Sequence, residues 1–240
     1  MDLAAIKAAG RADLLACALA AARNVLGLRS DAEVLAGSGS AARAYSLAAL
    51  AVVECGKAMC LTALALLPGA LRTRAPVGRM LEWHQLKQAG GLLVAAVPID
   101  GPGMAVKLAA MPAPRAARIL ATLSSPAQEA DRLKQRGLYV DMDRTGRIRE
   151  PSEITEAELA SQLARAQQAA ASAALLLAPD TQARLANPPA EMIELASALV
   201  NALIHEGKAR TPEAAAHIML NAVRNLRDNM AMRHAERTGG

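Results

Sequence analysis

From Leu3 to Leu28 apolar residues recur at helical spacing, broken by Lys7, Arg11, Asp13 and Arg23, which predicts a first long helix. Arg29 to Ser40 is looser and ends in Gly-Ser-Gly-Ser, a turn with a serine placed to cap the next element. Tyr45 to Leu67, YSLAALAVVECGKAMCLTALALL, is apolar on almost every side, the pattern of a helix at the centre of a bundle. Leu67-Pro68-Gly69 ends it, and a basic connector, LRTRAPVGR, leads to a third helix over about Pro76 to Val97. Pro98 to Pro114 is rich in proline and glycine, with one helical turn expected around Met104 to Ala110; Arg115 to Leu123 reads as helix. Ser125-Pro126-Ala127-Gln128 has the form of a capping box and opens a helix ending at Gly137. LYVDMDRTGRIREP is the one strand-like piece, expected to form a hairpin turning at Arg144-Thr145-Gly146. Thr155 to Glu158 is a second capping box, for a helix to about Ala178. Asn187-Pro188-Pro189 and Thr211-Pro212-Glu213 start the last two helices.

The expected fold is all-α, a bundle of about seven or eight helices with a small extended or hairpin insertion near residues 138–150. A helical domain over residues 1–150 would be followed by a C-terminal helical segment, 151–240, packed on it.

Composition sharpens this picture. The chain is 53% hydrophobic and 1% aromatic, with no Phe, one Trp and two Tyr. A core of alanine and leucine suits closely packed helices and gives a sheet little to stack. The net charge of +5 permits an acidic partner such as RNA. Scarce aromatics argue against recognition by base stacking and leave phosphate contacts as the mode. Cys17, Cys55 and Cys60 are odd in number, lack CxxC spacing and lie in apolar runs, so they are expected to be reduced core thiols in a cytoplasmic protein. No signal peptide is read at the N-terminus, and charges inside the central helix argue against a membrane span.

Those charges are Glu54 and Lys57, one turn apart on one face. An exposed pair of that kind contributes only about 0.2–0.5 kcal/mol, whereas an unpaired charge in a core costs roughly several kcal/mol. Arg43 precedes Glu54 by eleven residues, about 20° away at roughly 100° per residue, so one stripe carries Arg43, Leu50, Glu54 and Lys57. The pair is either functional or a buried structural ion pair.

Three more clusters carry chemistry. RMLEWHQLK on the third helix holds Arg79, His84 and Lys87; His84 and Lys87 share a face, while Arg79 and His84 splay by about 140°. RGLYVD brings Arg136, Tyr139 and Asp141 just after a helix end. The last helix holds Arg227 and His234, nearly on one face, near the C-terminal end of the chain. The bland readings are a boundary histidine with a solvated lysine, a packed tyrosine, and a solvated basic turn. Asp141, Asp143, Thr145 and Gly146 also match the start of a calcium loop, but Ser152 stands where the bidentate glutamate belongs. No HExxH, P-loop, GxSxG or zinc spacing occurs, and neither a metal nor a cofactor is expected.

SLAALAVVECGKAM (Ser46 to Met59), His84 with Lys87, and RGLYVD (Arg136 to Asp141) together resemble the AbiV family of abortive-infection proteins, a branch of the HEPN superfamily. The family pattern is an alanine-rich helix with E-E-x-G-K, then H-x-x-K, then K/R-x-G-L-Y-V-D. Val53 stands here in place of the first glutamate, so a role needing two adjacent carboxylates is not supplied. The resemblance covers roughly residues 10 to 145. It implies an HEPN-like bundle and an anti-phage effector, either a metal-independent RNase or a translation-blocking protein, with RNA or a phage or translation protein as partner and a homodimer as candidate state. HEPN RNases use an arginine and a histidine in R-x(4–6)-H, matched formally by Arg79 with His84 and by Arg227 with His234. In the catalytic reading, His84 takes a proton from a ribose 2′-OH and Lys57, Lys87 or Arg79 stabilises the phosphate. Glu54 holds that cation, Tyr139 limits water access, Asp141 balances a lysine, and Arg43 and Arg136 contact RNA. The alternative is a non-catalytic interaction protein whose buried charges fix helix register. Helices two and three, joined by a short connector, are expected to pack antiparallel and bring the three motif clusters into one polar site.

Overall fold

A computed structural model describes residues 3–74, 133–134, 138, 141–142, 145–149, 154–190, 192–194 and 196–197. Its elements are α1 (Leu3–Ala8), α2 (Arg11–Gly37), α3 (Ala41–Leu66), α4 (Gly69–Arg74), β1 (Asp141–Met142), β2 (Ile148–Arg149), α5 (Glu156–Leu177) and α6 (Pro179–Ala186). The fold is all-α with a two-residue β-ladder.

The first long helix departs from the expectation at both ends. It breaks at Ala9-Gly10, where the Asp13 carboxylate accepts the Gly10 N–H at 3.1 Å and starts α2 afresh. At the other end α2 runs through the stretch read as loose, as far as Gly37. Arg29 and Glu33 pair one turn apart on its outer side, and Ala32 faces inward with no exposure. The polar residues there belong to the helix, with Ser30, Asp31 and Glu33 exposed and Arg29 half-buried.

The turn at Ser38 to Ser40 is closed by Gly39, whose φ of +80° lies in the left-handed region that glycine adopts freely. Ser40 occupies the cap position of α3 without a side-chain cap bond; the Ser38 hydroxyl instead donates to the Leu35 carbonyl at 2.9 Å. So short a turn makes α2 and α3 an antiparallel hairpin. At its far end Arg11 Nε donates to the Ala65 carbonyl at 3.1 Å. That contact places a cation on one of the four carbonyls a helix leaves unpaired at its C-terminus.

α5 packs against both α2 and α3, and the three share one core. Its contact residues are mostly small: Ala18 and Ala22 from α2, Ala48 and Ala51 from α3, Ala166 and Ala169 from α5, all without exposure. Alanine at facing positions lets helices approach closely and leaves the remaining volume to a few large side chains such as Leu14, Leu61 and Leu64. α5 opens as expected: Thr155 Oγ1 accepts the Glu158 N–H at 3.2 Å, and the Thr155 N–H donates to Glu158 Oε2 at 2.8 Å. α6, with proline in its first turn, lies in a stretch left without an element in the sequence reading. Likewise α4 occupies part of what reads as connector after Leu67.

The expected hairpin is present as β1 paired antiparallel with β2, Asp141 opposite Arg149 and Met142 opposite Ile148. Gly146, at φ +82°, sits in its turn. A second, smaller apolar cluster ties the ends of this insertion to α3. Leu133 before it and Ile154 after it both pack with Tyr45 and Ala49.

α3 is long and apolar enough to cross a membrane, but 61% of its most apolar window is buried within the chain. Its apolarity is therefore accounted for by its place in the core. The thiols divide: Cys55 is buried, Cys60 half-buried, and Cys17 is exposed rather than in the core. Cys17 lies on the outward side of α2, where the alanine-rich sequence gives little contrast between faces.

Candidate functional site

α3 is buried around most of its circumference. Along one line of side chains it is less covered: Arg43 is exposed, and Leu47, Leu50, Glu54 and Lys57 are half-buried, as are Met59, Cys60 and Ala63 beyond that line. The line's spacing of four and three residues keeps it within about 80° on an ideal helix. This is the stripe expected from the sequence, with Leu47 added. It closes at Leu61, which has no exposure.

Within the stripe Lys57 Nζ lies 3.2 Å from Glu54 Oε2 and 3.3 Å from Oε1, so the ammonium straddles the carboxylate. The Lys57 side chain is 22% exposed and that of Glu54 20%. The pair is thus neither sealed in the core nor free in solvent. A carboxylate can accept more than two hydrogen bonds and an ammonium can donate three, so each retains capacity for another partner. Val53, at the position of the missing glutamate, is buried, at 4% exposure.

One residue on, Cys55 lies on the core side, where burial pushes its thiol from an ordinary 9.0 up to about 12. Such a thiol stays protonated and is no nucleophile at neutral pH.

Lys134, two residues before Arg136 in the sequence, meets α3 at Ser46, between Arg43 and Leu47 of the stripe. Ser46, fully buried, donates to the Lys134 carbonyl at 3.1 Å and to the Ala42 carbonyl at 3.0 Å. A serine hydroxyl has a single proton, so the two acceptors share it. Lys134 is itself only 4% exposed. In the sequence Ser46 stands out only as the first residue of a motif; the signal it offers is a hydroxyl inside an otherwise apolar helix.

Among the predicted site residues, the structure therefore places Arg43, Glu54 and Lys57 on one stripe, and puts the backbone of Asp141 on β1. Arg79, His84, Lys87, Arg136, Tyr139, Arg227 and His234 lie outside the described residues, as does the side chain of Asp141. Among the described residues no group of three or more His, Cys, Asp and Glu side chains could hold a metal ion.

A family model described as AbiV, within HEPN, matches residues 13–171, about two thirds of the chain. The chain belongs to the AbiV family. No curated protein and no solved structure matches it. The AbiV match spans α2, α3, the hairpin insertion and most of α5, so it takes in the stripe, the docked segment and the three-helix core together. AbiV membership suggests a function in abortive infection.

Proposed function

We propose that this AbiV-family protein is a cytoplasmic anti-phage effector that cleaves RNA without a metal ion, with the Glu54–Lys57 pair in its active site. The observation that carries the reading is where the pair sits. Both partners belong to α3 and bond to each other, so this contact does not tie α3 to α2 or α5. A pair that fixed helix register would bridge two helices. Partial exposure also leaves the ammonium able to reach a phosphate.

In this reading the His84 imidazole removes the ribose 2′-OH proton, and the resulting oxygen attacks the adjacent phosphorus. The 5′-oxygen leaves as the P–O bond breaks and takes up a proton. Lys57, held by Glu54, offsets charge gathering on the non-bridging oxygens, assisted by Lys87 or Arg79. Asp141 and Tyr139 border the site, while Arg43, at the exposed end of the stripe, and Arg136 contact the RNA backbone. Arg227 with His234 is the other candidate arginine–histidine pair. The active state is a homodimer, and residues 151–240 form a segment packed on the first domain.

The test is cleavage of total RNA and tRNA by the purified full-length chain with EDTA present. Wild type is expected to cut, and His84→Ala and Lys57→Met are expected to lose most of the activity. Equal cleavage by wild type and His84→Ala would overturn the reading. Phage protection that persists without any RNA cleavage would favour a non-catalytic, translation-blocking protein.

A further inference from the structure

A cavity of about 290 Å³ lies where α2, α3, α5 and α6 meet. Alanine leaves it open: Ala12, Ala16 and Ala18 of α2 and Ala186 of α6 stand where larger side chains would fill the space. Ala12, Ala16 and Ala186 are exposed, so the cavity opens to solvent between α2 and α6. Close-packed interiors hold few voids larger than a water molecule, so one of this size is unusual. Its wall on the α6 side is anchored twice. Leu185, 3% exposed, belongs to the main core, and Gln182 Nε2 donates to the Leu177 carbonyl at 2.7 Å.

The lining decides what kind of molecule fits. Among the described residues that form it, all but Thr62 and Gln182 are alanine or leucine, and none is charged. A phosphate or carboxylate would lose its water there without meeting a counter-charge. Thr62, 8% exposed, gives its one proton to the Ala58 carbonyl at 2.9 Å, which leaves its oxygen as an acceptor. A helix, about 10 Å across, is too wide for the space. One ring with a short substituent is not, since an apolar cavity of about 150 Å³ already takes benzene. Thr62 lies five residues beyond Lys57 and about 140° around α3 from it, so the cavity is separate from the stripe.

We propose that this cavity is a binding site for a compact, uncharged small molecule with an apolar body and one hydrogen-bond donor, which bonds to Thr62 Oγ1. Bound there, the molecule joins α6 to α2 and α3 through contacts that the open cavity lacks. The site is independent of the RNA-cleaving reading and stands or falls without it.

The probes are benzyl alcohol and toluene, which share a ring and differ by a hydroxyl donor. Each is titrated into the full-length chain with its leucine methyls isotopically labelled for NMR. Saturable shifts are expected at Leu15, Leu19, Leu176 and Leu185, which line the cavity. Ala16→Phe, at an exposed position, puts a ring into the space and should weaken both probes by roughly tenfold or more. Thr62→Val keeps the shape and removes the acceptor. It should weaken benzyl alcohol roughly fivefold and leave toluene unchanged. Shifts that never saturate, or that spread evenly over the leucines, overturn the proposal, as does equal binding by Ala16→Phe. An equal response of the two probes to Thr62→Val overturns the assigned ligand class. In the probe-free chain, NOEs from the Leu15 or Leu19 methyls to a residue outside α1 to α6, or to a second copy, would mean that the cavity is already filled, and would overturn it too. Should Ala16→Phe fail to fold, Ala186→Phe fills the cavity from α6 and carries the same expectation.

Discussion

Glu54 and Cys55 are consecutive residues of α3 that meet opposite environments. Cys55, 1% exposed, faces the alanine-lined core and holds its proton to about pH 12. Glu54, 20% exposed on its side chain, faces the stripe and meets an ammonium at 3.2 Å. One side of the helix therefore refuses charge, and the other supplies a partner for it within the same helix. The apolar side holds the fold together, which leaves the stripe available for chemistry.

The sharpest way to break this contrast is to put a carboxylate on the wrong side. Val52 is 2% exposed and lies about 200° around α3 from Glu54. Val52→Glu should cost about 3–5 kcal/mol, because a charge is buried with no partner; urea denaturation measures it. Val53→Glu, one residue later, restores the glutamate of the AbiV pattern. It too is buried at 4%, but Lys57 is four residues on and within reach. Its cost should be smaller, about 1–3 kcal/mol, in the same titration. Equal costs at 52 and 53 would mean that Lys57 does not distinguish the two sides.

A third prediction uses pH. The folded Cys55 thiol binds its proton more tightly than the unfolded one, having moved from 9.0 to about 12. Its burial therefore stabilises the fold fully below about pH 9. That contribution is lost as pH rises from 9 toward 12, where the unfolded chain gives up the proton first. Between pH 7 and 10.5 wild type should lose about 1–2 kcal/mol more than Cys55→Ala. Denaturant midpoints at both pH values provide the comparison.

The sequence showed the central helix, its charged stripe, the hairpin and the α5 capping box, because each rests on a contrast that is sharp locally. A charge in an apolar run, a glycine in a turn and a threonine followed three residues later by glutamate are such contrasts. It did not show where the first helix breaks or ends. With alanine on both faces of α2, buried Ala32 and exposed Ala16 look alike, and Arg29 to Glu33 resembles a loop. Cys17 was misplaced for the same reason. The docking of Lys134 on Ser46 was out of reach, since a contact across 88 residues leaves no periodic trace. The distances from His84 to Glu54 and Lys57 fall outside the described residues, so convergence of the three clusters remains part of the proposal.

The central claim is that the stripe serves function and the core side serves stability, and Lys57→Met with Glu54→Gln tests it most directly. Each variant would be melted and assayed for phage protection in parallel with wild type. A partly solvated pair within one helix contributes at most about 1 kcal/mol, so both variants should melt within a few degrees of wild type or above it. Protection should nevertheless be lost in both. A sharp fall in melting temperature, or full protection with the pair removed, would contradict the account.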